Sequence, residues 1–132
     1  MASPATPSGG QTNLGLAPNV AGMLCYFPLC CIGILFSIVA VIVEKQSRFV
    51  RFHAFQSLLV HGALVVAIVA MQVFSFVLAA ISGLLALLFS LLFGLLGLAI
   101  LGAMIFLMVK AYNNEEYSLP TVGELARNWS AQ

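Results

Sequence analysis

Polar side chains recur along one apolar stretch of this 132-residue chain, at His53, Ser57, His61, Gln72 and Ser75. Their steps of 4, 4, 11 and 3 residues put them on or near one face of a helix. Hydrogen bonding to neighbouring helices is the favoured interpretation, because polar groups in hydrocarbon need partners. The alternative is a functional site, since ionisable residues within a membrane are candidates for one. Under that alternative, His61 and Gln72 are the candidate intramembrane polar site.

Metal or redox chemistry has weaker support in the sequence. His53 and His61 are eight residues apart, about 12 Å along a helix axis, so they cannot hold one ion together. The three cysteines, Cys25, Cys30 and Cys31, lie within one apolar segment and form no disulfide framework. We interpret them as small apolar side chains, and a metal, redox or thiol-modification role stays open. We predict no catalytic residues, no metal site and no cofactor.

Membrane helices are the elements that must position these side chains. Hydrophobic residues make up 62% of the chain and charged residues 7%, against about 25% charged residues in ordinary soluble domains. The apolar residues form long runs, which indicates a bilayer as the solvent. A net charge of +1 gives no field for nucleic acid, so no nucleic-acid partner is expected. With no catalytic constellation in the sequence, we predict that the chain is not an enzyme.

The predicted fold class is an all-α membrane protein with three transmembrane helices and a short C-terminal interfacial amphipathic helix. About 20 helical residues cross the hydrocarbon layer, and this length sets the spans. The predicted organisation is a disordered uncharged tail over 1–19, a transmembrane domain over 20–109 with spans at about 20–43, 52–80 and 83–109, and a tail with the amphipathic helix over 110–132. Pro28 predicts a kink in the first span, because proline removes a backbone hydrogen bond.

Basic residues orient the predicted spans. Lys45, Arg48 and Arg51 lie in the first loop, and Lys110 directly follows the third span. The positive-inside rule puts these residues in the cytoplasm. With three spans, the C-terminus is then cytoplasmic and the N-terminus outside. The expected location is the bacterial inner (plasma) membrane.

Donor and acidic side chains gather at this predicted cytoplasmic boundary. The candidate lipid- or partner-binding collar consists of Arg48, Arg51, His53, Gln56, Glu115 and Glu116. Its donors suit an anionic lipid, a partner's carboxylate or the chain's own acidic pair. We expect the two arginines to hold the two glutamates, because the loop and the tail share one side in a three-span topology.

Small residues form a ladder along the third span. The predicted helix-packing face consists of Ser82, Ala86, Ser90, Gly94 and Gly102, at four-residue spacing with a skip at Leu98. Small residues four apart let helix backbones approach closely. The ladder predicts a packing surface, either within the chain or between subunits.

Two segments resemble a known family. Arg48–Ser57 is an Arg/Phe-rich loop that ends in His-Ala-x-Gln-Ser at the head of a span, and Glu115–Pro120 contains Tyr-x-Leu-Pro after the last span. Together they resemble small bacterial integral membrane proteins of unknown function related to the twenty-kilodalton Tic component of the plastid protein-import machinery. The resemblance implies a compact helical membrane bundle in which His53 and Gln56 matter as a pair. Ser118, where a basic residue is expected, and the cysteines depart from the pattern.

Three functions follow as hypotheses. The first is a non-enzymatic structural or accessory subunit of a larger membrane complex, whose partners are the lipid bilayer and another protein or a second copy of the chain. The second is an oligomeric small transporter, channel or protein-translocation component of the Tic-like type. The third is a cofactor-bearing redox subunit that uses His61 or the cysteines.

Overall fold

The regular structure of the chain is helical throughout residues 12–29 and 31–132, which the computed structural model describes. Its elements are α1 (Pro18–Cys25), α2 (Ile32–Val43), α3 (Arg48–Ile81), α4 (Gly83–Tyr112) and α5 (Val122–Ser130). The predicted all-α fold class is therefore confirmed. The tail predicted over 1–19 falls mostly on residues 1–11, which lie outside the described residues, and its last two residues belong to α1.

Two long apolar helices form a hairpin. α3 has 34 residues and α4 has 30, and the extended backbone of Ser82 joins them. Their lengths, about 51 Å and 45 Å, exceed the roughly 30 Å of a bilayer's hydrocarbon layer. Large hydrophobic side chains are exposed along both helices from Val65 to Leu101. The spans predicted at 52–80 and 83–109 therefore correspond to two helices that are long and apolar enough to cross a membrane.

The first span, predicted over 20–43, is not one crossing helix. α1 ends at Cys25, and α2 begins only after Pro28, so the expected kink is a complete break. Ser37 Oγ on α2 donates to Cys25 O on α1 at 3.2 Å, whereas twelve residues of continuous helix would separate the two by about 18 Å. The proline removes a backbone donor, and Cys31 adopts a left-handed φ of 64° that helps the chain reverse.

The α1–α2 pair returns to the end of the molecule from which it starts. The amide of Asn13 donates to Glu44 Oε2 at 2.7 Å, so the residues before α1 lie beside those after α2. Asn19 Nδ2 donates to Tyr112 O at 3.1 Å, which brings the end of α4 to the same place. We call this the basic end, because it contains Lys45, Arg48, Arg51 and Lys110. The prediction of three spans, with the N-terminus and the loop on opposite sides, is not confirmed.

The C-terminal helix docks on the first turns of α3. The rings of Trp129 and Phe55 have centroids 5.8 Å apart. The Arg127 guanidinium lies 5.7 Å from the centroid of the Phe52 ring, within cation–π range. The buried residues of α5 are Gly123, Ala126 and Ser130. The predicted interfacial placement is not confirmed, because α5 packs against α3 as part of the basic end.

Close contact between α1 and α2 depends on Gly33. A Cβ at this position would lie 2.5 Å from Phe27 O and 2.9 Å from Cys25 O, both of them backbone atoms. We expect Gly33→Ala to destabilise the fold by about 1–3 kcal/mol, the typical effect of overpacking. Thermal unfolding of the purified protein in mild detergent measures the change.

Gly62→Ala is the matched control for this prediction. Gly62 lies inside α3, and a Cβ there would meet nothing within 4 Å. Alanine stabilises a helix interior by about 0.5–1 kcal/mol relative to glycine, so the unfolding temperature should not fall. A similar loss of stability in both variants would contradict the tight α1–α2 contact.

Candidate functional site

A buried polar network lies at the basic end and joins three parts of the chain. Tyr26 follows α1, while His53 and Gln56 lie one turn apart on α3, and all three side chains are buried. α3 starts with Ser47 as its N-cap, whose hydroxyl accepts the Val50 amide at 3.3 Å. This start fixes the rotation of the helix, so that both polar residues face inward.

Gln56 uses both ends of its amide in this network. Gln56 Nε2 donates to Tyr26 OH and to Tyr117 O, each at 2.9 Å, and Gln56 Oε1 accepts the Leu119 amide at 3.1 Å. One side chain thus holds the end of α1 and the extended segment between α4 and α5. An amide suits this position because it carries two donors and an acceptor.

His53 completes the network. Tyr26 OH lies 3.1 Å from His53 Nδ1. Edge-on rings of Tyr26, Phe49 and Phe52 surround the imidazole at centroid distances of 5.6, 4.5 and 5.2 Å. Among the described residues, His53 Nε2 and Arg51 Nε are buried without a hydrogen-bond partner.

Glu44 forms a second buried polar contact at the basic end, one that the sequence analysis did not identify. Its carboxylate is fully buried and accepts backbone amides of Asn13 at 2.7 Å, Gln46 at 2.9 Å and Ser47 at 2.8 Å. The amino terminus of α3 also favours a negative charge here. The sequence offered one signal for this contact, because Glu44 lies three positions before Ser47, the serine that caps α3.

The predicted collar is not one surface. His53 and Gln56 belong to the buried network, so they are enclosed by protein. Glu115 Oε2 pairs with Lys110 Nζ at 2.6 Å, and Glu116 Oε1 pairs with Arg127 Nε at 3.0 Å. The sequence analysis named neither cation as a partner. Arg51 lies with its guanidinium 5.8 Å from the centroid of the Phe55 ring, and Arg48 is half-buried at the first turn of α3.

The candidate intramembrane pair does not form one site. His61 borders a cavity of about 200 Å³ with residues that include Pro28, Gly97 and Met104. Gln72 borders a different cavity of about 130 Å³, together with Ser75 and Ser90. His61 Nδ1 lies 2.8 Å from the backbone oxygen of Ser57, one turn earlier, and the Ser57 hydroxyl donates to Cys25 O. Both cavities open on the same side of the α3–α4 hairpin. His61 and Gln72 are eleven residues apart, and eleven residues are close to three full turns of an α-helix.

The small-residue ladder winds around α4. Each four-residue step turns an α-helix about 40° beyond a full circle. Ser82 and Ala86 are accordingly half-buried, whereas Gly94 and Gly102 are exposed. A Cβ on either glycine would meet nothing within 4 Å. The ladder is thus not a single packing face within the chain.

The cysteines are also separated. Cys25 is buried, with its Sγ donating to Ala21 O at 3.3 Å, whereas Cys31 is exposed. Cys30 lies outside the described residues. Within residues 12–29 and 31–132, no three His, Cys, Asp or Glu side chains are close enough to hold a metal ion.

The Gln56 network makes a stability prediction. Gln56→Leu keeps a side chain of similar size but leaves Tyr117 O and the Leu119 amide without their partner. Both bonds are part-buried, so we expect a total loss of about 1–3 kcal/mol, the cost of about one fully buried group left unpaired. The change is measured by thermal unfolding in detergent and by hydrogen exchange of the Leu119 amide, which donates to Gln56.

Gln72→Leu serves as the control for this variant, because the Gln72 amide has no hydrogen bond within the described residues. The Gln72→Leu variant should unfold at an unchanged temperature, and exchange of the Leu119 amide should stay slow. Protection of the Leu119 amide that survives Gln56→Leu would contradict the role of Gln56.

Comparison with known proteins places this architecture among membrane proteins. Residues 13–126 match the sequence model of the MamF/MmsF family, described as the magnetosome magnetite crystal formation protein family. A UPF0132 membrane protein of Methanocaldococcus jannaschii is 38% identical over 122 residues, covering 92% of this chain and 96% of the relative. A UPF0132 membrane protein of Archaeoglobus fulgidus is 34% identical over 113 residues, covering 82% and 90%. No solved structure matches the chain.

These matches overturn the resemblance to bacterial proteins related to the Tic component. That interpretation was wrong, because the family that matches is a different one and the relatives are archaeal. It relied on two short segments, Arg48–Ser57 and Glu115–Pro120. The structure gives these segments a physical reason to occur together, since Gln56 in the first binds the backbone of the second.

Proposed function

Because this chain belongs to the magnetosome magnetite crystal formation protein family, we propose that it is a non-enzymatic membrane scaffold, a structural or accessory subunit that assembles through one side of its α3–α4 hairpin. Its membrane location agrees with the names of its relatives and with its two long apolar helices. The observation that carries the proposal is the exposed amide of Gln72. The assembly partner we propose is a second copy of the chain.

Gln72 is exposed where an unpaired amide is most costly. It lies ten residues before the turn at Ser82, about 15 Å along α3, so it falls within the apolar part of the hairpin that the hydrocarbon layer covers. Its amide has no hydrogen-bond partner among the described residues. An unpaired polar group in hydrocarbon costs several kcal/mol. A second copy removes that cost, because two amides related by a two-fold axis are self-complementary.

The surroundings of Gln72 suit a close helix–helix contact. Ser75 and Ser90 share its cavity, and neither Gly94 nor Gly97 has any atom within 4 Å of an added Cβ. Exposed glycine backbone lets another helix approach closely, as in small-xxx-small crossings. We call Gln72, Ser75, Ser90, Gly94 and Gly97 the Gln72 face.

Self-association should therefore depend on Gln72 and Gly94. We expect Gln72→Leu to weaken dimerisation about 3- to 20-fold, the range for one hydrogen bond between membrane helices. Gly94→Leu should block assembly, because the new side chain occupies the space of the approaching helix. Native mass spectrometry and energy transfer between labelled copies in mild detergent measure both effects.

Leu95→Val is the control, because Leu95 is exposed on a different side of α4. It should assemble as the unchanged protein does. Dimerisation that is equally strong in all the variants would contradict the scaffold proposal. A closed ring of several copies that conducts ions in liposomes would favour the channel hypothesis.

The scaffold has a topology of two crossings in this proposal. α3 and α4 cross the bilayer, whereas α2, with 12 residues or about 18 Å, is too short to cross and turns back to the basic end. The positive-inside rule then puts the basic end in the cytoplasm, together with both flanking segments. The contacts of Asn13 with Glu44 and of Asn19 with Tyr112 support this arrangement.

Single cysteines in a variant without native cysteines test the topology. We expect Ser8→Cys and Asn128→Cys to react with an impermeant thiol reagent only after the cells are permeabilised. Ser82→Cys, at the opposite end of the hairpin, should react in intact cells. Labelling of Ser8→Cys in intact cells would restore the three-span topology.

The family description names magnetite crystal formation, and the carboxylates of the chain favour an indirect route to it. Glu44 is held by three backbone amides, and Glu115 and Glu116 are in ion pairs. This leaves few carboxylates to contact a mineral, so we propose that the chain organises membrane. The redox hypothesis stays untested, and an absorption spectrum of the purified protein addresses it.

A further inference from the structure

A groove runs between α1 and the last turns of α4, apart from the Gln72 face. It has a volume of about 400 Å³, and its lining is entirely apolar. Its lining includes Met23 and Leu29 on the side of α1, and Ile105, Met108, Val109 and Tyr112 on α4. Along α4 the groove extends for eight residues, about 10 Å, from the basic end into the apolar part of the hairpin.

We propose that this groove binds one acyl chain of a phospholipid whose headgroup lies at the basic end. The first argument is continuity with the lipid-facing surface. Leu29, Ile105 and Val109 line the groove and are also exposed, by 58%, 49% and 52%. Lipid that covers the hairpin therefore reaches the groove without crossing any polar barrier.

The size and the lining of the groove select an acyl chain over other occupants. The space falls within the usual range for small-ligand sites, about 300–1,000 Å³. The polar atoms of the lining residues, including the Tyr112 hydroxyl, contribute no surface to the groove, so it offers no hydrogen bond to a peptide or to a hydrophilic ligand. Two methionines, Met23 and Met108, have flexible side chains that can follow an irregular chain.

An acyl chain also covers the break between α1 and α2. Pro28 and Leu29 are exposed in this non-helical segment, at the level of His61 and Gly97 on the hairpin. Irregular backbone within a membrane is tolerated where other groups bury it. A chain in the groove lies against this segment and holds it on α4.

A phospholipid with a photoactivatable diazirine near the middle of one acyl chain tests the proposal. The full chain is reconstituted in nanodiscs with this lipid and irradiated, and the labelled peptides are mapped. Labels should concentrate on Met23, Leu29 and Met108. Met108→Trp fills the groove and should lower this labelling at least about tenfold, the effect of losing the burial of about two methylene groups.

Leu95→Trp is the matched control, because Leu95 is 66% exposed on α4 and lies outside the groove. The labelling pattern of this variant should equal that of the unchanged protein. Met23→Trp fills the groove from α1 and should repeat the loss, which guards against a folding defect of the first variant. Gln72→Leu should keep the labels in the groove, so a failure of the scaffold proposal can be told apart from a failure of the lipid proposal.

Labels spread along α4 in proportion to the exposure of its residues would overturn the lipid proposal. Cross-links between two copies of the chain at the groove would also overturn it.

Discussion

The side-chain amide of Gln56 is the contact on which the basic end depends. Within a membrane, apolar side chains do not drive helices together, because lipid tails are as apolar as leucine. Hydrogen bonds and close packing must therefore decide which helices meet. Gln56 binds Tyr26 after α1 and the backbone at Tyr117 and Leu119. Without it, the backbone at Tyr117 and Leu119 would lose its hydrogen bonds to α3. The α1–α2 pair would keep those of Tyr26 with His53 and of Cys25 with Ser57.

Glu44 has a related role on the other side of the same end. A buried carboxylate requires compensation, and here backbone amides provide it instead of a basic side chain. The three amides come from the segment before α1 and from the turn before α3, so the charge ties two distant parts of the chain together. The molecule thus divides into an end organised by polar contacts and a hairpin whose surface is apolar. Gln72 is the notable polar exception on that hairpin.

Hydropathy predicts α3 and α4 well, because a long apolar run leaves few alternatives to a crossing helix. Hydropathy fails for residues 20–43, because it cannot distinguish one helix that crosses the membrane from two shorter helices that turn back at Pro28. Both arrangements contain the same apolar residues. The difference arises from contacts such as Ser37 with Cys25, which are distant in sequence. His53 and Gln56 could be selected as polar residues, but their burial depends on the later segment 117–119. The ladder on α4 is not one packing face within the chain, because a four-residue step drifts around a helix, and its use between subunits stays a prediction.

The pairing of Asn19 with Tyr112, 93 residues apart, also constrains the order in which the molecule can form. During synthesis, α1 and α2 leave the ribosome long before the partners that complete their surroundings exist. A short, broken pair of helices cannot serve as a stable anchor, whereas α3 and α4 can insert as one hairpin. The basic end must then close afterwards, when the last residues arrive and Gln56 finds its backbone partners. We therefore expect newly made chains to pass through an open state, in which α3 and α4 already form the hairpin and the contacts of the basic end are not yet made.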